Sequence, residues 1–182
     1  MADSTLEELM QTYVEGNALA FEEIYRRVSR LLFAYLLRLT RDRPRAEDLL
    51  QVTFVKVHRA RSSYLVGAPL MPWLLAIARR TFLDERRMKK SRYEDLSSDG
   101  KLPERPAAPE GMNDDISDAL AIALDDLPEN YREAIQLTKI TGLSLSEAAD
   151  VLDTTPTAVK LRVHRGYNLM RDKIEVLRRA RT

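Results

Sequence analysis

Residues 144–170 read SLSEAADVLDTTPTAVKLRVHRGYNLM, and two helix-start signals in this stretch decide the fold around it. Ser144 followed by Glu147 is the pattern of a capping box, and Thr155 followed by Pro156 is the pattern of a cap and a first helical residue. The residues between the two signals favour a tight turn. A short helix, a tight turn and a longer helix rich in Lys and Arg together predict a helix-turn-helix.

The longer helix of this pair has two unlike sides. One side is apolar and suits packing on the preceding helix; its residues are Val159, Val163, Gly166 and Met170. The opposite side offers one apolar group and several hydrogen-bond donors, which suits base edges in a major groove; its residues are Thr157, Lys160, Leu161, His164, Arg165 and Asn168. Arg162 and Arg171 flank that side, where phosphates would lie. A basic helix that meets only solvent is the alternative, but the cap, the turn and the polar side together favour DNA binding.

Helical periodicity also runs through the rest of the chain, and no segment shows sustained strand-like alternation. The helices expected in the amino-terminal half are residues 5–15, an apolar stripe over 21–39, a helix beginning near Pro44, and a helix from Pro72 to Arg92. Residues 116–127 and 129–141 predict two more helices before the helix-turn-helix. The predicted fold class is therefore all-α.

The helix that begins near Pro44 has more apolar surface than one core needs. Its predicted buried side consists of Ala46, Leu49, Leu50, Phe54 and Val57. Val52 and Val55 lie on another side and leave apolar groups for a partner. In the helix over 72–92, the residues predicted to face inward are Trp73, Ile77 and Leu83.

The charges of the 182 residues fall into three blocks. Residues 1–93 carry 17 basic and 11 acidic side chains, residues 94–127 carry 2 and 10, and residues 128–182 carry 10 and 7. Within the acidic block, residues 94–115 contain Pro and Gly and predict a flexible acidic linker. The prediction is two small helical domains, 1–93 and 116–182, each large enough to fold by itself. Basic domains around an acidic linker favour a nucleic-acid partner, and an acidic linker between ordinary domains is the alternative.

The composition argues against several classes of site. The chain has no cysteine, so it has no disulfide framework and no thiolate ligand or nucleophile. His58 and His164 lack partners at metal-site spacing, so neither a metal nor a cofactor is expected. An enzyme has little support, because there is no Gly-rich phosphate loop and no nucleophile with a base at recognisable spacing. The amino terminus lacks a secretory apolar core, and no apolar run reaches the ~20 residues of a spanning helix, so we expect a cytoplasmic protein without membrane insertion.

A second candidate for nucleic-acid binding is the basic stretch RRTFLDERRMKKSR, residues 79–92. It holds seven basic and two acidic side chains, with Tyr64, Trp73, Phe82 and Tyr93 in or near it. Basic groups can follow a phosphate backbone while unstacked bases stack on aromatic rings, which favours single strands. The alternative is that Trp73 and Phe82 belong to the core and that the arginines only solvate a helix.

The order of these parts resembles a known family. The segments AEDLLQVTFVKVHRA (46–60), MPWLLAIARRTFLDERRMKKSR (71–92) and LPENYREAIQLTKITGLSLSEAADVLDTTPTAVKLRVHRG (127–166) are together similar to the extracytoplasmic-function (ECF) sigma factors of bacterial RNA polymerase. The resemblance covers sigma region 2 at about residues 18–93 and region 4 at about residues 120–177. It implies a non-enzymatic subunit that binds core RNA polymerase, directs it to specific promoters and starts transcription.

The resemblance also implies which residues meet which partner. The β′ clamp helices of core polymerase would meet Asp48, Gln51, Val52 and Val55. The melted −10 strand would meet Ser62, Tyr64, Trp73, Arg79, Arg80, Arg86 and Arg87. The −35 duplex would meet Thr157, Lys160, Leu161, Arg162, His164 and Arg165. The polymerase β flap and an anti-sigma factor are further implied partners.

Three positions depart from the family pattern. Asp153 stands in the turn where Gly is usual, Val52 follows Gln51 where an acidic residue is usual, and Arg80 stands where Asn is common. Asp tolerates a left-handed backbone better than most residues do, so we expect the turn to survive. The loop SYLVGAPL carries no family signature, so it predicts no −10 base preference.

A stand-alone helix-turn-helix regulator, whose first domain senses a ligand or dimerises, is the alternative function. It explains residues 120–182 equally well. It explains the basic, aromatic-bearing helix over 73–92 poorly. Association with core polymerase would distinguish a sigma factor from a stand-alone regulator.

Overall fold

The computed structural model describes residues 4–96 and 115–179, and it describes side chains over residues 4–91 and 120–179. The chain divides into two compact units, residues 1–105 and 106–182. This division falls within the predicted linker 94–115, nearly all of which lies outside the described residues, so the predicted domain boundaries stay a prediction. Every regular element of the described residues is helical, which confirms the all-α class.

The amino-terminal unit contains four α-helices over its described residues: α1 (Leu6–Val14), α2 (Ala18–Thr40), α3 (Arg43–Ala60) and α4 (Leu70–Leu96). A 3₁₀ turn, Arg61–Ser63, follows α3. Side-chain caps start the first three helices: Thr5 with Glu8 forms a capping box on α1, Asn17 caps α2, and Asp42 caps α3. Each of these helices therefore begins at a residue whose side chain satisfies one of the first free N–H groups.

The core of this unit lies where α2, α3 and α4 pack together. The predicted buried side of α3 is confirmed, since Ala46, Leu49, Leu50, Phe54 and Val57 are all buried. The inward candidates on α4 are only partly confirmed, since Trp73, Ile77 and Leu83 are half-buried. The fully buried side chains of α4 include Leu74, Leu75 and Ala78. Because residues 70–78 are all apolar, periodicity could not select the stripe that faces the core.

The carboxy-terminal unit contains α5 (Asp115–Asp125), α6 (Glu129–Ile135), α7 (Leu145–Leu152) and α8 (Pro156–Arg179) over its described residues. The helix predicted over 129–141 is confirmed as helical from Glu129 to Ile140, but only its first part is an α-helix, because Gln136–Ile140 forms a π-helical turn after α6. Its hydroxyls bond backbone carbonyls: Thr138 Oγ1 donates to Ala134 O at 2.8 Å, and Thr141 Oγ1 to Leu137 O at 2.6 Å. Gln136 and Leu137 are both buried, and they continue the run of buried residues at the end of α6.

Helices α6 and α8 pack closely at Gly166. A Cβ placed on Gly166 would lie 2.7 Å from Ile135 Cδ1 and 3.4 Å from Tyr131 Cβ. Ile135 is itself 4% exposed, so its side chain has little room to retreat. The absence of a side chain at position 166 therefore sets the distance between these two helices.

We expect Gly166→Ala to lower the free energy of unfolding of the carboxy-terminal unit by about 1 kcal/mol. Overpacking costs about 1–3 kcal/mol, and the better helix propensity of Ala offsets about 1 kcal/mol of that. Denaturant unfolding of the full chain measures the loss. In an Ile135→Val background the loss should disappear, because the crowded Cδ1 atom is gone; an equal loss in both backgrounds would contradict this account.

Candidate nucleic-acid and partner interfaces

The turn between α7 and α8 holds the predicted helix-turn-helix together. The capping box on α7 is confirmed: Glu147 N donates to Ser144 Oγ at 3.2 Å, and Ser144 N donates to Glu147 Oε2 at 2.8 Å. Thr155 Oγ1 accepts from Ala158 N at 3.2 Å at the start of α8. Asp153 adopts the left-handed backbone, with φ of 51°. The turn thus survives without the usual glycine, as the sequence predicted.

Helix α8 separates its buried and exposed sides as predicted. Val159, Val163, Gly166 and Met170 are all buried. The exposed residues of the predicted DNA-reading side are Thr157, Lys160, Leu161, His164 and Arg165, and Leu161 is 46% exposed. Arg162 is half-buried at the edge. The structure therefore brings these six residues together on one helix, with the apolar Leu161 among cations and donors.

A hydrogen-bonded chain joins three polar residues along the outer side of α8. The amide of Asn168 lies 3.4 Å from His164 Nε2, and the Arg171 guanidinium donates to Asn168 Oδ1. The sequence placed these residues on or beside the DNA-reading side, but it did not predict that they bond to one another. Asn168 thereby orients two side chains that could contact DNA.

Lys139 is a further cation beside the predicted DNA-reading side of α8. Lys139 and Lys160 both line an open groove of about 320 Å³ between the π-helical turn and α8, with Ser144 at its edge. Two exposed ammonium groups beside the start of α7 suit a phosphate of the DNA backbone. The only sequence signal for Lys139 was its charge, because its position depends on the π-helical turn.

Helix α3 exposes one compact face away from the core. Its residues are Asp48, Gln51, Val52 and Val55, all exposed, at spacings of three and four. Val52 and Val55 are 44% and 49% exposed, so two β-branched apolar side chains lie beside a carboxylate and an amide. The four residues selected from the sequence thus share one surface, and an apolar surface with polar groups at its edge suits a protein partner.

The residues predicted to meet the −10 strand differ in accessibility. Ser62, Arg80, Arg86 and Arg87 are exposed, whereas Trp73 and Arg79 are half-buried. Tyr64 is only 5% exposed, its hydroxyl donates to Ala68 O, and its ring meets Trp73 edge-on at 5.3 Å between centroids. Its burial gives Tyr64 a packing role beneath the loop in this structure. A direct contact between Tyr64 and a base stays a prediction.

Two ion pairs fasten α4 to α3. The Arg45 guanidinium donates to both Glu85 oxygens, at 2.6 to 3.1 Å, and Lys56 Nζ donates to Asp84 Oδ2 at 2.9 Å. Lys89 Nζ adds a third cation, 2.7 Å from Glu85 Oε1. The two acids that interrupt the basic stretch 79–92 are thus structural links between helices, a role that a charge count cannot reveal.

The Glu85 carboxyl is held in its charged form. Burial by itself would raise the pKa of Glu85, but hydrogen bonds from Arg45 and Lys89 outweigh burial and hold that pKa below its usual value of 4.5. A carboxyl with a lowered folded-state pKa stabilises the fold at pH values above its unfolded-state pKa. That contribution is lost as the pH falls through the folded-state pKa.

Family comparisons agree with the two units. A model of sigma-70 region 2 matches residues 24–92, and a model of sigma-70 region 4 matches residues 117–170. The sigma factor CarQ of Myxococcus xanthus is 33% identical over 163 residues, covering 90% of this chain and 94% of CarQ. The ECF sigma factor SigM of Bacillus subtilis (strain 168) is 31% identical over 144 residues, covering 78% of this chain and 87% of SigM.

A solved structure is similar as well. The sigma factor RpoE from Bartonella quintana, in a co-crystal structure with the anti-sigma factor NepR, matches with a TM-score of 0.74 and 30% identity, covering 86% of this chain and 97% of that one. The chain therefore belongs to the ECF family of RNA polymerase sigma factors, which are transcription initiation factors. The match to region 2 decides against the stand-alone regulator. No helix among the described residues is long and apolar enough to cross a membrane.

We expect Glu85→Gln to destabilise the amino-terminal unit at pH 7, and we expect the difference from the wild type to shrink as the pH falls through the folded-state pKa of Glu85. The wild-type chain loses its ion-pair stabilisation as Glu85 becomes protonated, whereas the variant has none to lose. Thermal unfolding of both proteins between pH 7 and pH 3 measures the difference. Glu22→Gln, at an exposed position of α2, is the control and should follow the wild type. A gap between Glu85→Gln and wild type that stays constant with pH would contradict the assignment.

Proposed function

We propose that this sigma factor divides promoter recognition between its two units. Helix α8 reads the −35 element as duplex DNA, while the loop over 61–69 and α4 hold the melted −10 strand. The observation that carries the proposal is the arrangement of α8, whose exposed Lys160, Leu161, His164 and Arg165 lie opposite a fully packed side. A helix fixed on one side can enter a major groove with the other.

The chemistry of α8 suits specific and nonspecific contacts together. Arg165 and Lys160 can donate to guanine or to phosphate, and Leu161 can contact a thymine methyl group. Lys139, Arg162 and Arg171 lie where phosphate contacts would hold the helix in register. Binding should therefore weaken steeply as salt increases, because each phosphate contact releases condensed counterions.

We expect Arg165→Ala to weaken binding to the −35 duplex by about 1–3 kcal/mol, or roughly fivefold to 150-fold. A duplex selected by the assembled holoenzyme from a library randomised across the −35 and −10 elements serves as the probe. Fluorescence anisotropy with this duplex measures affinity. Arg30→Ala removes the same charge from an exposed position of α2 and is the control. Unchanged affinity of Arg165→Ala, or an equal loss in Arg30→Ala, would contradict the proposal.

The loop and α4 differ from α8 because their target is unpaired. Arg80, Arg86 and Arg87 offer cations to a phosphate backbone, and Ser62 and Trp73 lie nearer the loop, where a base would be held. We assign Arg79 to the same surface and Tyr64 to support of the loop. Binding energy at unpaired bases offsets the cost of unstacking them, so the sigma factor contributes binding while the polymerase performs all chemistry.

The exposed face of α3 is the proposed docking surface for the β′ clamp helices of core polymerase. Asp48 and Gln51 supply polar contacts, and Val52 and Val55 supply an apolar centre. Val52 occupies a position where an acidic residue is usual in the family, so this chain's contact is more apolar there. We assign the contact with the β flap of core polymerase to the carboxy-terminal unit as a whole.

We expect Asp48→Ala/Gln51→Ala to weaken binding to bacterial core RNA polymerase by about 2 kcal/mol, or roughly thirtyfold. Both side chains are exposed and off the core, so the fold should persist, as circular dichroism would verify. Gln11→Ala/Glu15→Ala is the matched control, because it removes an amide and a carboxylate from an exposed pair on α1. Full affinity in the Asp48 and Gln51 variant would contradict the docking assignment.

An anti-sigma factor is the proposed regulator. The similar RpoE structure contains the anti-sigma factor NepR, which supports a partner of that kind for this chain. Covering the α3 face would exclude polymerase. Polymerase and promoter DNA lie in the bacterial cytoplasm, so we place this protein there. We propose neither a metal nor another cofactor.

A further inference from the structure

The N-terminus of α4 is held by a residue of a different helix, 63 positions away in sequence. Leu70 N donates to Glu7 Oε1 at 3.0 Å. The first N–H groups of a helix lack intrahelical partners, and their partial positive charge favours a carboxylate. Pro69 has no side-chain acceptor, and the described first turn of α4 has no acidic residue. Glu7 therefore supplies from α1 the acceptor that the local sequence lacks.

Helix α1 is a fixed support for this carboxylate. The Thr5–Glu8 capping box begins the helix, and Leu9 and Met10 are 2% and 0% exposed. At its start, Arg27 Nη1 donates to Ser4 O at 2.6 Å, which ties the residues before α1 to α2. Glu7 thus projects from a helix with little freedom to move.

The loop over 61–69 is packed and hydrogen-bonded on its inner side and exposed to solvent on its outer side. Tyr64 lies beneath it, with its hydroxyl bonded to Ala68 O and its ring against Trp73. Burial, and to a lesser extent the negative charge of Glu7, raises the pKa of Tyr64. Leu65 and Val66 are 76% and 50% exposed on the outside of the loop.

We propose that Glu7 is a positioning residue for capture of the −10 strand, because it fixes the joint between the loop and the first turn of α4. The residues assigned to the strand lie on both sides of this joint, with Ser62 before it and Trp73 and Arg80 after it. If this joint moved, the loop residues and the α4 residues would lose their fixed relative position. Each binding of the strand would then cost the additional free energy of ordering them. This inference rests on the −10 assignment made under the proposed function.

Hydrogen–deuterium exchange of the full chain tests the joint without DNA. Glu7→Ala should speed amide exchange in peptides covering residues 64–71 by about tenfold, the scale of losing one hydrogen bond to a charged group. Glu7→Gln keeps an acceptor and should remain near wild type, as should the control Glu22→Ala. Unchanged exchange in Glu7→Ala would overturn the proposal. Faster exchange throughout α2 and α3 would also overturn it, since Glu7 would then support the fold generally.

Promoter opening tests the consequence. Holoenzyme is mixed with the selected promoter carrying 2-aminopurine in the −10 nontemplate strand, whose fluorescence rises on unstacking. Glu7→Ala should reduce opening about tenfold at unchanged affinity for core polymerase and the −35 duplex, and Glu7→Gln should restore it. Normal opening by Glu7→Ala, or a parallel loss of core affinity, would overturn the proposal. No opening by the wild type would instead reject the −10 assignment, and the exchange result would still report on the joint.

Discussion

Burial of one side of α3 and one side of α8 is the constraint on which both candidate surfaces depend. An α-helix repeats every 3.6 residues, so once Leu49, Thr53 and Val57 are packed inward, Asp48 and Val52 must face outward. The same reasoning applies to α8, where Val159 and Val163 fix the direction of Lys160 and Leu161. Packing of the buried side thus fixes the direction in which the exposed polar side chains point. Those polar side chains contribute little to holding their own helices in place.

Charge has two separate roles in the amino-terminal unit. Arg45, Lys56 and Lys89 are committed to acids on α4, so they are part of the fold. Other basic residues of α4, such as Arg80 and Arg87, are exposed. A sigma factor needs this separation, because a surface that holds a nucleic-acid strand must stay rigid while its own cations are used for binding. Residues that keep α4 rigid are therefore as relevant to the proposed promoter opening as the residues proposed to contact the strand.

Much of the fold could be predicted because the signals are local. Capping boxes depend on two residues three positions apart, which explains why Ser144 with Glu147 predicted the start of α7. Predictions failed where neighbours in space decide the outcome. Periodicity could not identify the inward stripe at the start of α4, where residues 70–78 are all apolar, and no local pattern announced the π-helical turn after Ile135. Tyr64 was selected as an aromatic near a basic stretch, and only packing against Trp73 showed that its ring is buried.

The sequence by itself determined the all-α class and the helix-turn-helix, because helix periodicity and capping act over a few residues. It also predicted which side chains of α3 and α8 lie exposed. The tertiary structure alone decided which charges are committed to the fold. It also paired Glu7 with Leu70, and Arg45 with Glu85, across 63 and 40 positions of sequence. Such pairs depend on how helices pack, and packing responds to the shapes of many side chains at once.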